Sequence, residues 1–195
     1  MPSVCSFCPS IEIKEKQSGF TLIELLATLV IITILATVGI PSVRNFILNS
    51  RIVTQANDLL ADLATARSEA IKRNYKIYLC PTSNPNATPP ACDGAAGVWD
   101  TGWIMYEDTD GSNSLTTNDK VLRVHGPVAG GNTLRSLATL SPMAYLANGV
   151  YAPGGSNYFR LCDSRGTTWG RAIVLDTGGR ARVDRIANVG GATCP

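Results

Sequence analysis

The sequence predicts an α+β protein: a long N-terminal helix, first apolar and then amphipathic, packed on an antiparallel β-sheet head. Three observations carry that prediction. Helical patterning is confined to the first 75 residues. The 18 glycines and 11 prolines fall for the most part beyond residue 80, which suits short strands joined by turns. A single long apolar run stands near the N-terminus, at residues 20–40. At 195 residues the chain has room for one domain plus an anchor, and hardly for two domains. Its net charge of +2 excludes a general polycation, so any attraction for nucleic acid must come from a local patch.

The elements follow in order. Residues 1–19 are mixed and polar, ending in Lys14-Glu15-Lys16-Gln17-Ser18-Gly19. From Phe20 to Ile40 the chain is apolar except for threonines and one acid, Glu24. A helix of that length would span about 31 Å, enough to cross a bilayer core. A cleavable secretory signal has a shorter apolar core followed by small residues. Here the run is too long and the polar stretch precedes it, so the segment is expected to be retained. An unpaired carboxylate within a membrane helix costs on the order of 3 kcal/mol, so Glu24 needs a partner. Cleavage after Gly19 would supply one, because the new Phe20 amine lies one helical turn away, and the amine of a neighbouring subunit could also reach it.

The octet Gly19-Phe20-Thr21-Leu22-Ile23-Glu24-Leu25-Leu26 resembles the type IV prepilin motif. The resemblance implies that residues 1–19 are a leader, cut by prepilin peptidase between Gly19 and Phe20. It also implies N-methylation of Phe20 and a role for Glu24 in assembly. It places the protein in the bacterial inner membrane as a single pass with its head in the periplasm, and later in a fibre with other major and minor pilins. Cys5 and Cys8 would leave with the leader.

Residues 20–41 form the membrane and assembly helix, and Pro41 should kink or loosen it. Residues 42–75 are read as amphipathic. Val53, Ala56, Leu60 and Leu63 keep helical spacing, joined by Leu59, Ala66 and Ala70, while Asp58, Asp62, Arg67, Glu69 and Lys72 fall largely on other faces. Residues 76–195 form the head. Its candidate strands are 76–80, 102–107, 120–124, 133–139, 158–162, 171–175 and 180–183, arranged as one antiparallel sheet or two small ones. Asp176-Thr177-Gly178-Gly179 separates the last two as a hairpin turn would.

Cys80 and Cys92 enclose a proline-rich loop, and Cys194 is the penultimate residue. Such places suit staples better than free thiols, so Cys80–Cys92 and Cys162–Cys194 disulfides and an oxidising compartment are expected. The first closes a loop worth about 3 kcal/mol in the chain-entropy account. Only Cys5 and Cys8 have metal-like spacing and no His accompanies them, so no metal and no cofactor is expected.

The head also resembles the GspH/FimT family of minor pilins and pseudopilins. The matching pieces are Leu79-Cys80, Gly102-Trp103-Ile104, Val121-Leu122-Arg123, Tyr158-Phe159-Arg160-Leu161-Cys162-Asp163, Gly170-Arg171-Ala172-Ile173-Val174 and Gly179-Arg180-Ala181-Arg182, with a Cys near the C-terminus. That resemblance implies a helix cradling a β-sandwich-like head and a minor subunit of a type IV pilus, or, as the alternative, a minor pseudopilin of type II secretion.

Little else suggests chemistry. His125 is the only histidine and no nucleophile motif accompanies it, so an enzyme is not expected. Asp108-Thr109-Asp110-Gly111-Ser112-Asn113 hints at a calcium loop. Counted from Asp108, however, the sixth and twelfth places hold Asn113 and Asp119 where Gly and Glu are usual, so a solvated turn is expected. Arg160, Arg165, Arg171, Arg180, Arg182 and Arg185 crowd the C-terminal part. On a strand Arg180 and Arg182 share a face about 6.7 Å apart, and could hold successive phosphates of double-stranded DNA. Gly178 and Gly179 are expected to leave the backbone there uncovered. Gly179-Arg180-Ala181-Arg182 resembles the Gly-Arg-x-Arg element of FimT-type pilins, which implies DNA binding in natural transformation; from the basic stretch itself, Arg171 and Arg185 are expected to contribute.

Overall fold

The computed structural model describes residues 19–136, 141–152, 154–189 and 193–194, with Val38 described by its backbone alone. Residues 1–18, including Cys5 and Cys8, and the 137–139 end of the fourth expected strand lie outside the described residues. Two compact units divide the chain, Met1–Val43 and Arg44–Pro195.

Helix α1 runs from Leu22 to Arg73, 52 residues, with Pro41 inside it. Thr21 caps it: the Glu24 N–H donates to Thr21 Oγ1 at 3.3 Å and the Leu25 N–H to the Thr21 carbonyl at 3.1 Å. Within the first unit the helix is apolar on all sides, and large side chains such as Leu22, Ile31 and Leu35 are exposed. An 18-residue window of α1 reaches a mean hydropathy of 2.4, long and apolar enough to cross a membrane.

In the second unit the helix buries one stripe: Ile52, Ala56, Leu59, Leu63, Ala66 and Ala70. The steps of three and four residues keep these side chains on one face. Two expectations are corrected here. Val53 is exposed, and the stripe begins with Ile52 instead. Asp62, expected on an outer face, is 1% exposed. Its carboxylate accepts the Trp103 Nε1–H at 2.9 Å and pairs with Arg123 at 2.7 Å, which satisfies a charge that burial alone would forbid.

Among the described residues nine antiparallel strands follow. They are β1 (Lys76–Pro81), β2 (Trp103–Asp108), β3 (Lys120–His125), β4 (Thr133–Ser136), β5 (Met143–Tyr145), β6 (Tyr151–Ala152), β7 (Asn157–Cys162), β8 (Arg171–Leu175) and β9 (Ala181–Arg185). They form two sheets, ordered β3-β2-β1-β5-β6 and β4-β7-β8-β9. Alternation gives each strand two roles. Ile77, Leu79, Trp103, Met105, Met143 and Tyr145 of the first sheet join the helix stripe in the main core. Phe159, Leu161, Ile173 and Leu175 of the second sheet reach the same core.

Both outer faces are also covered. On the first sheet Tyr78, Cys80, Ile104 and Tyr106 pack with Leu115 from the β2–β3 loop. On the second, Cys162 and Ala172 pack with Ile186, Val189 and Cys194 of the C-terminal tail. Disulfide Cys162–Cys194 ties down the C-terminal tail, and Cys80–Cys92 ties the β1–β2 loop back to β1.

Candidate functional site

Three groups of residues offer something beyond packing. The first is the start of the chain's described part. Gly19 has open space where a side chain would stand, so nothing in the fold requires glycine there. Phe20 is 82% exposed, and Glu24 is exposed on the first turn of α1. Among the described residues no Lys or Arg forms an ion pair with Glu24. The helix N-terminus accommodates its charge in part, through the partial positive end of the dipole.

The second group is the β8–β9 hairpin, at whose free edge β9 lies. The register sets Leu175 opposite Ala181, Val174 opposite Arg182 and Arg171 opposite Arg185. Arg180 is therefore not a strand residue, contrary to expectation. Its N–H donates to Asp176 Oδ1 at 2.8 Å and its carbonyl accepts the Asp176 N–H at 3.0 Å, so it closes the turn and β9 starts one residue later.

Tertiary contacts hold this turn still. Arg67 of α1 donates from Nε to the Gly149 carbonyl at 2.9 Å and from Nη2 to the Gly178 carbonyl at 3.0 Å. The buried Tyr145 hydroxyl donates to the Gly179 carbonyl at 3.1 Å. Gly179 is buried rather than uncovered, and it serves packing. A Cβ there would come within 2.7 Å of the Gly149 carbonyl oxygen, and φ is +78°.

The arginines divide into two ends. Arg180 and Arg182 are exposed at the turn end, while Arg171 and Arg185 face each other at the other end of the ladder. Among the described residues the Arg180 and Arg185 side chains make no ion pair. Arg182 pairs with Asp184 at 3.0 Å. Hydrogen bonds from Asn188 first, then from the Arg185 N–H, and the charge of Arg182 hold the Asp184 carboxyl below the usual carboxylate range. Among the described residues the Arg171 side chain donates to the Trp169 and Gly170 carbonyls, both at 3.4 Å. Arg165 is engaged by Asp163 at 2.6 Å and stacks 4.5 Å from the Trp169 ring, and Arg160 donates to the Thr193 carbonyl. Of the six arginines in this stretch, Arg180, Arg182 and Arg185 are the exposed ones.

The third group is the β2–β3 loop. Asp108, expected in a solvated turn, is buried, and its carboxylate converges with those of Asp110 and Asp119. His125 stacks on Trp103 with centroids 3.8 Å apart and places Nδ1 2.8 Å from the Gly126 carbonyl, a packing role.

Sequence reasoning missed Arg67 and Tyr145 as the clamps of the hairpin. A long polar side chain one position off a buried helical stripe was the available signal for Arg67.

Residues 55–179 match the family described as Type II transport protein GspH. Residues 14–40 match the prokaryotic N-terminal methylation motif. Among solved structures the chain is similar to the type IV minor pilin FimU of Pseudomonas aeruginosa strain PAO1. The P21 crystal form aligns with a TM-score of 0.52 and 20% identity over 71% of this chain and 92% of that one. The P65 form aligns with a TM-score of 0.49 and 20% identity over 67% and 90%. At this identity the likeness in the P21 form is one of fold. No curated protein matches the chain.

Proposed function

The chain belongs to the GspH family of pilin-like subunits, and from that premise we propose a minor pilin at or near the tip of a type IV pilus that also holds duplex DNA. The family and the methylation motif entail membrane anchoring, processing by prepilin peptidase and assembly with other pilins. In our reading the cut falls between Gly19 and Phe20, the Phe20 amine is methylated, and Glu24 pairs with that amine in its own or a neighbouring subunit. The head then lies on the periplasmic side until the subunit enters the fibre. We assign it no catalytic step.

The observation that carries the DNA reading is the fixed edge hairpin. Arg180 stands exposed in a turn clamped by Arg67 and Tyr145, with exposed Arg182 beside it on the edge strand. The clamped backbone fixes where the two arginine side chains start, and guanidinium–phosphate contacts ignore base sequence. Arg171 and Arg185, at the far end of the ladder, extend the patch rather than form its centre.

The test is duplex binding by the detergent-solubilised chain at two salt concentrations. Affinity should fall steeply with salt, and the Arg180→Ala/Arg182→Ala variant should lower the log–log salt slope by about 2. Absence of binding by the wild type at low salt removes the DNA role. A second reading, a minor pseudopilin in type II secretion, is favoured by the description of the matching family. It predicts loss of secreted cargo, and no loss of pili, when the gene is deleted.

A further inference from the structure

The loop between β2 and β3 gathers three acids that the assembly and DNA readings leave unused. One oxygen each from Asp108, Asp110 and Asp119 lies within 4.8 Å of the others. Among the described residues no Lys or Arg forms an ion pair with any of the three. Like charges at that distance repel strongly, and the cost rises where burial lowers the effective dielectric. Asp108 is only 4% exposed, and its Oδ1 is buried without a hydrogen-bond partner. An ionised oxygen left that way is expensive unless something positive meets it.

The two mismatches that set the loop apart from calcium-binding loops are removed by its geometry. Twelve-residue calcium loops need a sharp turn at the sixth place, usually glycine. Here that place is Asn113, with φ at +60°, a conformation asparagine tolerates better than most residues. The twelfth place holds Asp119 rather than the longer Glu, yet its carboxylate already reaches the other two.

We propose that Asp108, Asp110 and Asp119 form a divalent-cation site of the calcium class. Hard oxygen donors fit calcium, and the set has no His or Cys to favour zinc or copper. The site would fasten the loop whose Leu115 covers the outer face of the first sheet, against Tyr78, Ile104 and Tyr106.

The experiment uses the full chain in detergent, stripped with chelator and titrated calorimetrically with calcium chloride alone and with magnesium chloride alone. One saturable calcium site is expected, with a dissociation constant at or below about 1 mM and weaker magnesium binding. Calcium should raise the unfolding temperature, and chelator should reverse the rise. Asp110→Asn and Asp119→Asn each should weaken binding about tenfold or more. In chelator both should unfold at or above the wild-type temperature, since each removes one of three mutually repelling charges, which separates lost binding from misfolding. Asp58→Asn, on the helix, should change nothing. No saturable binding at about 1 mM calcium, equal affinity for magnesium, or undiminished binding in an Asp110→Asn/Asp119→Asn double variant would overturn the proposal.

Discussion

One helix carries two surfaces, and the contrast between them divides the protein's labour. Between Leu22 and Val43 it is apolar all round, with its large side chains exposed. From Ile52 to Ala70 it is apolar along one stripe, and every member of that stripe is fully buried. A stripe finds its cover inside the same chain, whereas an all-round apolar surface finds it in lipid or in other subunits. The single acid in the first stretch, Glu24, is exposed and forms no ion pair among the described residues; the buried acid of the second, Asp62, meets Trp103 and Arg123 of the head. The first stretch is built for a partner outside the chain, and the second for a fold that is already complete.

The largest effect that can break this comparison is a cavity in the stripe. Leu63→Ala should destabilise the folded head by about 3 kcal/mol, read from urea unfolding of the detergent-solubilised chain. Leu29→Ala, in the exposed stretch, should leave that transition where it is. Equal losses would mean that the first stretch also supports the head.

Next comes Glu24→Ala. If Glu24 pairs with the Phe20 amine during assembly, its loss should cut incorporation into fibres by more than tenfold, about 2 kcal/mol of lost pairing. Leader cleavage and the urea transition of the head should stay unchanged. Normal incorporation would break the assignment of Glu24 to an external partner. Asp62→Ala tests the opposite case. It strands the Trp103 N–H and frees Arg123, and should cost about 2 kcal/mol of head stability with no effect on assembly.

These contrasts also mark what could be read from the residues alone. Glu24 was legible because one charge in a 21-residue apolar run violates its surroundings. Asp62 was not, because Trp103 and Arg123 come from strands β2 and β3, distant in the chain. Strands β1, β2, β3, β7 and β8 stood out as short apolar and aromatic runs between turn residues. Strands β5 and β6 have three and two residues, too short for a period to register. Their turn did leave a sign in Asn148-Gly149, where Gly149 has φ of +79° and the Leu146 N–H meets the Val150 carbonyl. In the hairpin the identities of Arg180 and Arg182 were legible. Their geometry was not, since the Asp176 carboxylate takes the Arg180 N–H and shifts the strand start by one residue.

The smallest predicted effect concerns a charge pair beside the β8–β9 hairpin. Burial works to raise the Asp163 pKa, but the hydrogen bonds from the Arg165 side chain and N–H, and the Arg165 charge, outweigh it and leave the pKa lowered. A carboxyl lowered in the folded state contributes stability that is present above its unfolded pKa of about 3.9 and lost as the pH falls through the folded value. Asp163→Asn should therefore cost about 1 kcal/mol at pH 7, and the gap from wild type should close below about pH 4. Urea unfolding at several pH values reads this directly. Arg165 would then keep the Trp169 ring but lose its charged partner. DNA affinity should rise slightly in the variant if the freed guanidinium joins the hairpin patch. It should stay fixed if Arg180 and Arg182 carry the contact alone, so this weak variant separates a broad basic face from a two-arginine clamp.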